Sequence, residues 1–171
     1  MNKQSTFLAA WLRAKNIARW PLTTNLTKCD DAGHSFECAV VAHLLGTIDR
    51  DLFNNTETDP NHLATLAIFH EGGEVAGLGD INSAAKNINP EASKAIKALE
   101  RLFENNLVDS LPPELQNSYK PLIVQEKTTR TGQLVKCADD ICAFIEAQKE
   151  FLLGNREYES AYNNQKSKVD E

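Results

Sequence analysis

The chain has 171 residues, 42% of them hydrophobic and 25% charged, and a formal net charge of −6. This is the size and composition of one soluble globular domain, and the acidic balance disfavours non-specific binding to nucleic acid. No apolar run approaches the roughly 20 residues of a membrane span. The apolar patch in the opening stretch MNKQSTFLAAWLRAKNIARW is too short and interrupted for a secretory signal. The expected location is cytoplasmic.

The predicted elements are helical almost throughout. Residues 4–18 place Phe7, Leu8, Trp11, Leu12, the Lys15 stem and Ile17 at helical spacing. Arg19-Trp20-Pro21-Leu22 stops that helix, because proline disfavours α geometry in the residue before it. Residues 23–32 are polar and read as a loop. A long helix over 34–53 carries the stripe Phe36, Val40, Val41, Leu44, Leu45, Ile48 and Leu52. After the loop 54–60, Asp59-Pro60 starts a helix over 60–71 that ends in Gly72-Gly73, since proline is favoured at a first helical position. Residues 76–90 read as a loop with one short helix.

Asn89-Pro90 then opens a helix of about 20 residues with Ile96, Leu99, Leu102, Phe103 and Leu107 on one face. Leu111-Pro112-Pro113-Glu114 starts a shorter one that runs to Pro121-Leu122-Ile123. A long helix over 131–153 carries Asp139, and 155–171 reads as a weaker helix or frayed tail. No segment alternates with period two, so no sheet is expected.

Cys29, Cys38, Cys137 and Cys142 lack CxxC spacing, which disfavours a zinc ribbon or a dithiol redox site. Cys38, Cys137 and Cys142 fall in apolar helical patterns and read as small buried hydrophobes.

Chemistry concentrates in three stretches: GHSFECAVVAHLLG with His34, LATLAIFHEGGEV with His70 and Glu71, and LVKCADDICAF with Asp139. Ionisable groups seldom stay in such apolar surroundings without partners, and a divalent cation would supply one to all four. Imidazole nitrogen with carboxylate oxygen suits zinc, manganese, cobalt, iron or nickel. With four protein ligands an octahedral ion keeps positions for water and substrate. Spacing alone leaves the bland alternative open, a chance His-Glu pair and a salt-bridged surface aspartate. His43 and His62 have no partner pattern and read as structural.

The order His34, His70-Glu71, Asp139 resembles the signature of HD-domain metal-dependent phosphohydrolases, and among them the bacterial-type 5′-deoxynucleotidases. The likeness is carried by RWPL at 19–22, HSFECAVVAH at 34–43, FHEGGEV at 69–75 and VKCADDICAF at 135–144. It extends through NPEASKAIKALERLFENNLVDSLPPELQNSYKPLI. Three departures stand out. The usual aspartate after the second histidine is Glu71. The usual acid before the first ligand is Gly33. The loop after Glu74 is Ala76-Gly77-Leu78-Gly79-Asp80-Ile81-Asn82, not a Thr-Gly-Asp-Leu-Pro type.

The resemblance implies one all-α, HD-type helical bundle over residues 1–171. It implies His34, His70, Glu71 and Asp139 as ligands of one divalent metal, with magnesium as a possible second ion. Glu74 falls on the catalytic acid and Asp80 on a second carboxylate near the phosphate. Arg19 and Trp20 fall on the pair that recognises phosphate and deoxyribose, and Lys86 matches a family lysine, though a lone lysine is as readily a solvated one. The implied substrate is a small deoxynucleotide, with no nucleic-acid polymer or membrane as partner, and the implied assembly is a homodimer or higher homo-oligomer. Apolar faces at 91–108 and 131–153 exceed what one small core needs. A dNTP triphosphohydrolase resembling small phage-type dATP enzymes (then in the host cytoplasm) is the alternative activity. A catalytically silent nucleotide-binding domain is a third.

Overall fold

A computed structural model describes residues 5–170 of the chain. It is all-α: the described residues hold no strand, only an isolated antiparallel bridge between Ala18 and Asp30. The helices are α1 (Phe7–Arg13), α2 (Asp31–Asp51), α3 (Pro60–Ile68), α4 (Ser83–Lys86), α5 (Pro90–Asp109), α6 (Pro113–Ile123), α7 (Arg130–Leu152) and α8 (Glu159–Asp170). None among the described residues is long and apolar enough to cross a membrane.

Helix starts follow side-chain chemistry. Asn82 and Asn89 accept from Ala84 N and Ala92 N at 2.8 and 2.7 Å, and Thr129 accepts from Gly132 N at 3.1 Å. Each satisfies a backbone donor that has no partner within its own helix. Pro60, Pro90 and Pro113 stand first in α3, α5 and α6, where the missing N–H costs nothing.

The chain divides into two compact units. One comprises Met1–Leu22, Asp30–Ala32 and Phe69–Gln125; the other comprises Thr23–Cys29, Gly33–Ile68 and Glu126–Glu171. The first unit buries Ala10, Ala14, Val75, Leu107, Val108 and Ile123. Beside them an aromatic cluster meets edge to face: Phe7 with Tyr119 at 5.0 Å and Trp11 with Phe69 at 4.9 Å between centroids. The second unit packs Cys38, Ala39 and Ala42 of α2, Leu63, Leu66 and Ala67 of α3, and Val135, Ala138, Cys142, Ala143 and Ala147 of α7. These residues are mostly small, which lets helices pack closely.

Several expected boundaries and faces differ. The helix placed at 4–18 runs only over Phe7–Arg13, followed by a 3₁₀ turn at Ala14–Asn16; Gln4 lies outside the described residues. Ile17 is already extended, so the chain leaves the helix well before Pro21. Leu8 and Leu12 face out while Ala10 and Ala14 face in. The helix placed at 60–71 ends at Ile68.

On α2 the large-residue stripe divides: Phe36, Val40, Leu44 and Leu52 are 70%, 56%, 57% and 72% accessible, while Val41, Leu45 and Ile48 are half-buried. The buried side carries His34, Ser35, Cys38, Ala39, Ala42 and Asp49. Close packing selects small residues there, so side-chain size misleads. Cys137 is exposed, not buried. The C-terminal stretch up to Asp170 forms α8, with Tyr162 stacked on Phe151 at 4.9 Å; Glu171 lies outside the described residues.

Candidate active site

The first unit resumes after α3 with a turn at Phe69-His70, and Phe69 joins its aromatic cluster. The next two residues are glycines. A Cβ on Gly72 would come within 2.8 Å of Ile123 Cγ2, so a side chain there would displace the core. This presses the backbone carrying His70 and Glu71 against α6. Nε2 of His70 and Oε1 of Glu71 are 3.1 Å apart, and Nη1 of Arg19 lies 3.4 Å from the same oxygen. All three side chains are largely buried.

Glu74 opens a single π-helical turn, Glu74–Leu78. Such turns are rare and often mark functional sites. Its carboxyl is buried, and Oε2 has no hydrogen-bond partner. Burial, then the negative charges of Glu71, Asp31 and Asp80, push this carboxyl up to about 10 against the opposing charge of Lys86. The site therefore resists ionisation of this carboxyl. Lys86 Nζ lies 3.7 Å from Glu74 Oε1 and 3.2 Å from Glu100 Oε1. Burial lowers the lysine pKa, but Glu74 and Glu100 together raise it and keep the ammonium charged.

Trp20 has φ 58°, a left-handed conformation rare for a bulky residue. Its backbone N–H donates to Asp80 Oδ2 at 2.8 Å. Asp80 thus holds the strained residue. Arg19, Trp20, His70, Glu71, Glu74, Asp80 and Lys86 all belong to this unit.

The second unit holds His34 and Asp139. His34 Nε2 and Asp139 Oδ1 are 3.2 Å apart. The other oxygen of Asp139 is 2.9 Å from Lys136 Nζ, which also reaches Asp140 at 2.6 Å. Burial opposes the charge on Lys136, but Asp139 and Asp140 hold its ammonium protonated. On the far side of the imidazole, Nδ1 lies 2.8 Å from Glu146 Oε1.

The sulfur of Cys38 is 3.4 Å from Nε2 and 3.8 Å from Nδ1 of His34. Near-equal distances to both nitrogens put the sulfur over the ring face, off the Nε2 lone-pair direction. Cys38 therefore packs on the histidine, although its sulfur, His34 and Asp139 offer ligand atoms within 4.8 Å of one another. His43 and His62 are exposed.

The donors fit a divalent metal. Each unit presents one imidazole nitrogen and one carboxylate oxygen, 3.2 Å apart in one and 3.1 Å in the other. Two atoms bound at about 2.1 Å in neighbouring positions of one ion stand about 3 Å apart. Nitrogen with oxygen is the donor set of a borderline to moderately hard divalent cation.

Sequence reasoning missed Glu146, Lys136 and Asp31. Glu146 follows Asp139 by seven residues, two helical turns on one face, and Lys136 precedes it by three. That periodicity was the available signal. Asp31 sits fully buried at the start of α2, in a stretch that reads as a polar loop.

Residues 6–171 match the model of a family described as YfbR-like, 5′-deoxynucleotidase YfbR-like. A 5′-deoxynucleotidase of Vibrio cholerae is 36% identical over 160 residues, 93% of this chain and 81% of that protein. The 5′-deoxynucleotidase YfbR of an Escherichia coli strain is 36% identical over 157 residues, 91% and 78% of the two chains. Among solved structures, an HD-domain phosphohydrolase from Listeria innocua shares the fold at a TM-score of 0.82 and 22% identity, over 94% of this chain and 76% of that one.

Proposed function

The chain belongs to the YfbR-like 5′-deoxynucleotidase family, and on that premise we propose that it is a metal-dependent hydrolase that releases phosphate from 2′-deoxynucleoside 5′-monophosphates. The observation that carries the reading is the pair of nitrogen–oxygen donor sets, His34 with Asp139 and His70 with Glu71, of matching 3.2 and 3.1 Å separation. We assign these four residues to one divalent cation within a single HD-type domain. Cobalt, zinc, manganese, iron and nickel all suit the donors, and magnesium suits a second ion. Held by these residues, the metal would supply Lewis-acid polarisation of the phosphoryl group and a lowered pKa for water.

The protein's own groups do the rest. Arg19 offers a planar fork to two phosphate oxygens, a geometry lysine lacks. As water adds to phosphorus, the bond from phosphorus to O5′ breaks and O5′ needs a proton. Glu74, whose ionisation burial opposes, gives this proton to O5′ as general acid, and the proton that the water brings onto the new phosphate returns to Glu74 as the product leaves. Lys86, paired with Glu74 and Glu100, keeps that carboxyl in place. Trp20 forms an apolar wall at C2′; a ribose hydroxyl there is buried without a partner, which costs about 1–3 kcal/mol. Asp80 acts through Trp20, whose N–H it binds.

Product analysis with several divalent metals added in turn tests the reading. Inorganic phosphate from dNMP is the expected product. Triphosphate from dNTP, or no turnover of either, would overturn it.

A further inference from the structure

The imidazole of His34 is held between two acids, one at each nitrogen. Asp139 Oδ1 stands 3.2 Å from Nε2, and Glu146 Oε1 stands 2.8 Å from Nδ1. The side chains of His34 and Glu146 are 0% and 9% accessible, so neither contact is a surface ion pair. An ionised carboxylate can only accept, so a neutral ring bonded to Glu146 carries its proton on Nδ1. The Nε2 lone pair is then directed to the side where Asp139 lies. Lys136 occupies the other oxygen of Asp139 at 2.9 Å, which turns Oδ1 toward Nε2. Cys38 covers the ring face and hinders its rotation.

We propose that Glu146 is the positioning residue for His34: it fixes the Nδ1–H tautomer and the ring orientation, so that Nε2 faces the cation and gains basicity. This rests on the metal reading above. A carboxylate behind a ligating histidine commonly changes metal affinity by about 10–100-fold. The residue directly before His34 is Gly33, which has no side chain to serve. The acid comes instead from α7, two turns beyond Asp139, so one helix supplies both the second ligand and the support of the first.

The test is a chelator-competition titration of wild type, Glu146→Ala and Glu146→Gln with cobalt and with zinc. Glu146→Ala should bind about 10–100-fold more weakly, and Glu146→Gln, which keeps an uncharged acceptor, should lose less. Activity lost at limiting cobalt should return at saturating cobalt, with KM for the nucleotide unchanged. A merely structural role would lower the melting temperature of the metal-free protein and would not be rescued by metal. Cobalt affinity of Glu146→Ala within about threefold of wild type overturns the proposal.

If the variants do not fold, long-range proton–nitrogen spectra of zinc-loaded wild type decide. Protonated Nδ1 with metal-bound Nε2 supports the assignment, and the reverse overturns it. A wild type that binds neither cobalt nor zinc removes the metal reading and the proposal together. Tight binding unaffected by Glu146→Ala removes the proposal alone.

Discussion

At the scale of single residues, Trp20 and Asp80 form the most informative pair. A non-glycine residue in the left-handed region costs on the order of 1–3 kcal/mol and persists only where its surroundings fix it. The fixing contact is the 2.8 Å bond from Trp20 N–H to Asp80 Oδ2. Asp80 therefore has two separable roles: a charge near phosphate, or an anchor for the indole. Asparagine keeps an acceptor oxygen and removes the charge; alanine removes both. If Asp80 works through Trp20, Asp80→Asn retains most of the preference for dAMP over AMP, while Asp80→Ala and Trp20→Ala each shrink it by about 10- to 100-fold. Steady-state kcat/KM on the two nucleotides measures this. Asp80→Asn behaving like Asp80→Ala would return the charge to the mechanism. Equal wild-type turnover of AMP and dAMP would make Trp20 a core residue only.

At the scale of elements, α7 organises its unit from end to end. Near its start Arg130 pairs with Asp49, which also accepts from Asn55 at 2.8 Å and Thr58 at 2.6 Å. Near its end Glu150 accepts from Leu26 N, Thr27 N, Thr27 Oγ1 and Asn155 Nδ2 at 2.6–2.9 Å, fastening the 23–29 segment. Burial of Glu150 opposes ionisation, but the bonds from Thr27, Asn155 and the Leu26 and Thr27 backbone bring its carboxyl down to about 2. A depressed pKa contributes stability above the unfolded value of about 4.5, and that stability is lost as pH falls toward 2. Glu150→Ala should cost about 2–4 kcal/mol at neutral pH, since it strands four donors. Glu150→Gln should flatten the acid limb of stability between about pH 4.5 and 2. Urea unfolding across that range checks both, and an unchanged acid limb would locate the acid sensitivity elsewhere, first at Asp49.

The legibility of these elements in the sequence varied for physical reasons. The starts of α3, α5 and α6 were readable because proline and asparagine act locally. The inward faces of α1 and α2 were not, because tight packing chose Ala10, Ala14, Cys38, Ala39 and Ala42 over larger neighbours. The conformation of Trp20 and the partner of His34 depend on residues 60 and 112 positions away, and no local pattern encodes such distances.

At the scale of the whole molecule, the apolar surface left by α2 bears on assembly. Phe36, Val40 and Leu44 recur every four residues, the spacing of one helix face, and each is more than half exposed. Leu99 and Leu102 on α5, Ile145 and Leu152 on α7, and Leu153 just beyond it are exposed as well. A net charge of −6 opposes association by repulsion, yet a row of large apolar side chains on one helix is unusual for a monomer. A second copy of the same chain is the partner that a symmetric contact supplies without further cost in specificity, since the helix meets its own face. Sedimentation velocity at micromolar concentration should therefore show a dimer or larger species. Val40→Asp, at the centre of the stripe and away from the donors, should shift it toward the 19.0 kDa monomer while metal affinity is kept. A wild type that sediments at 19.0 kDa at all these concentrations would show that the stripe is solvent-facing in the working protein.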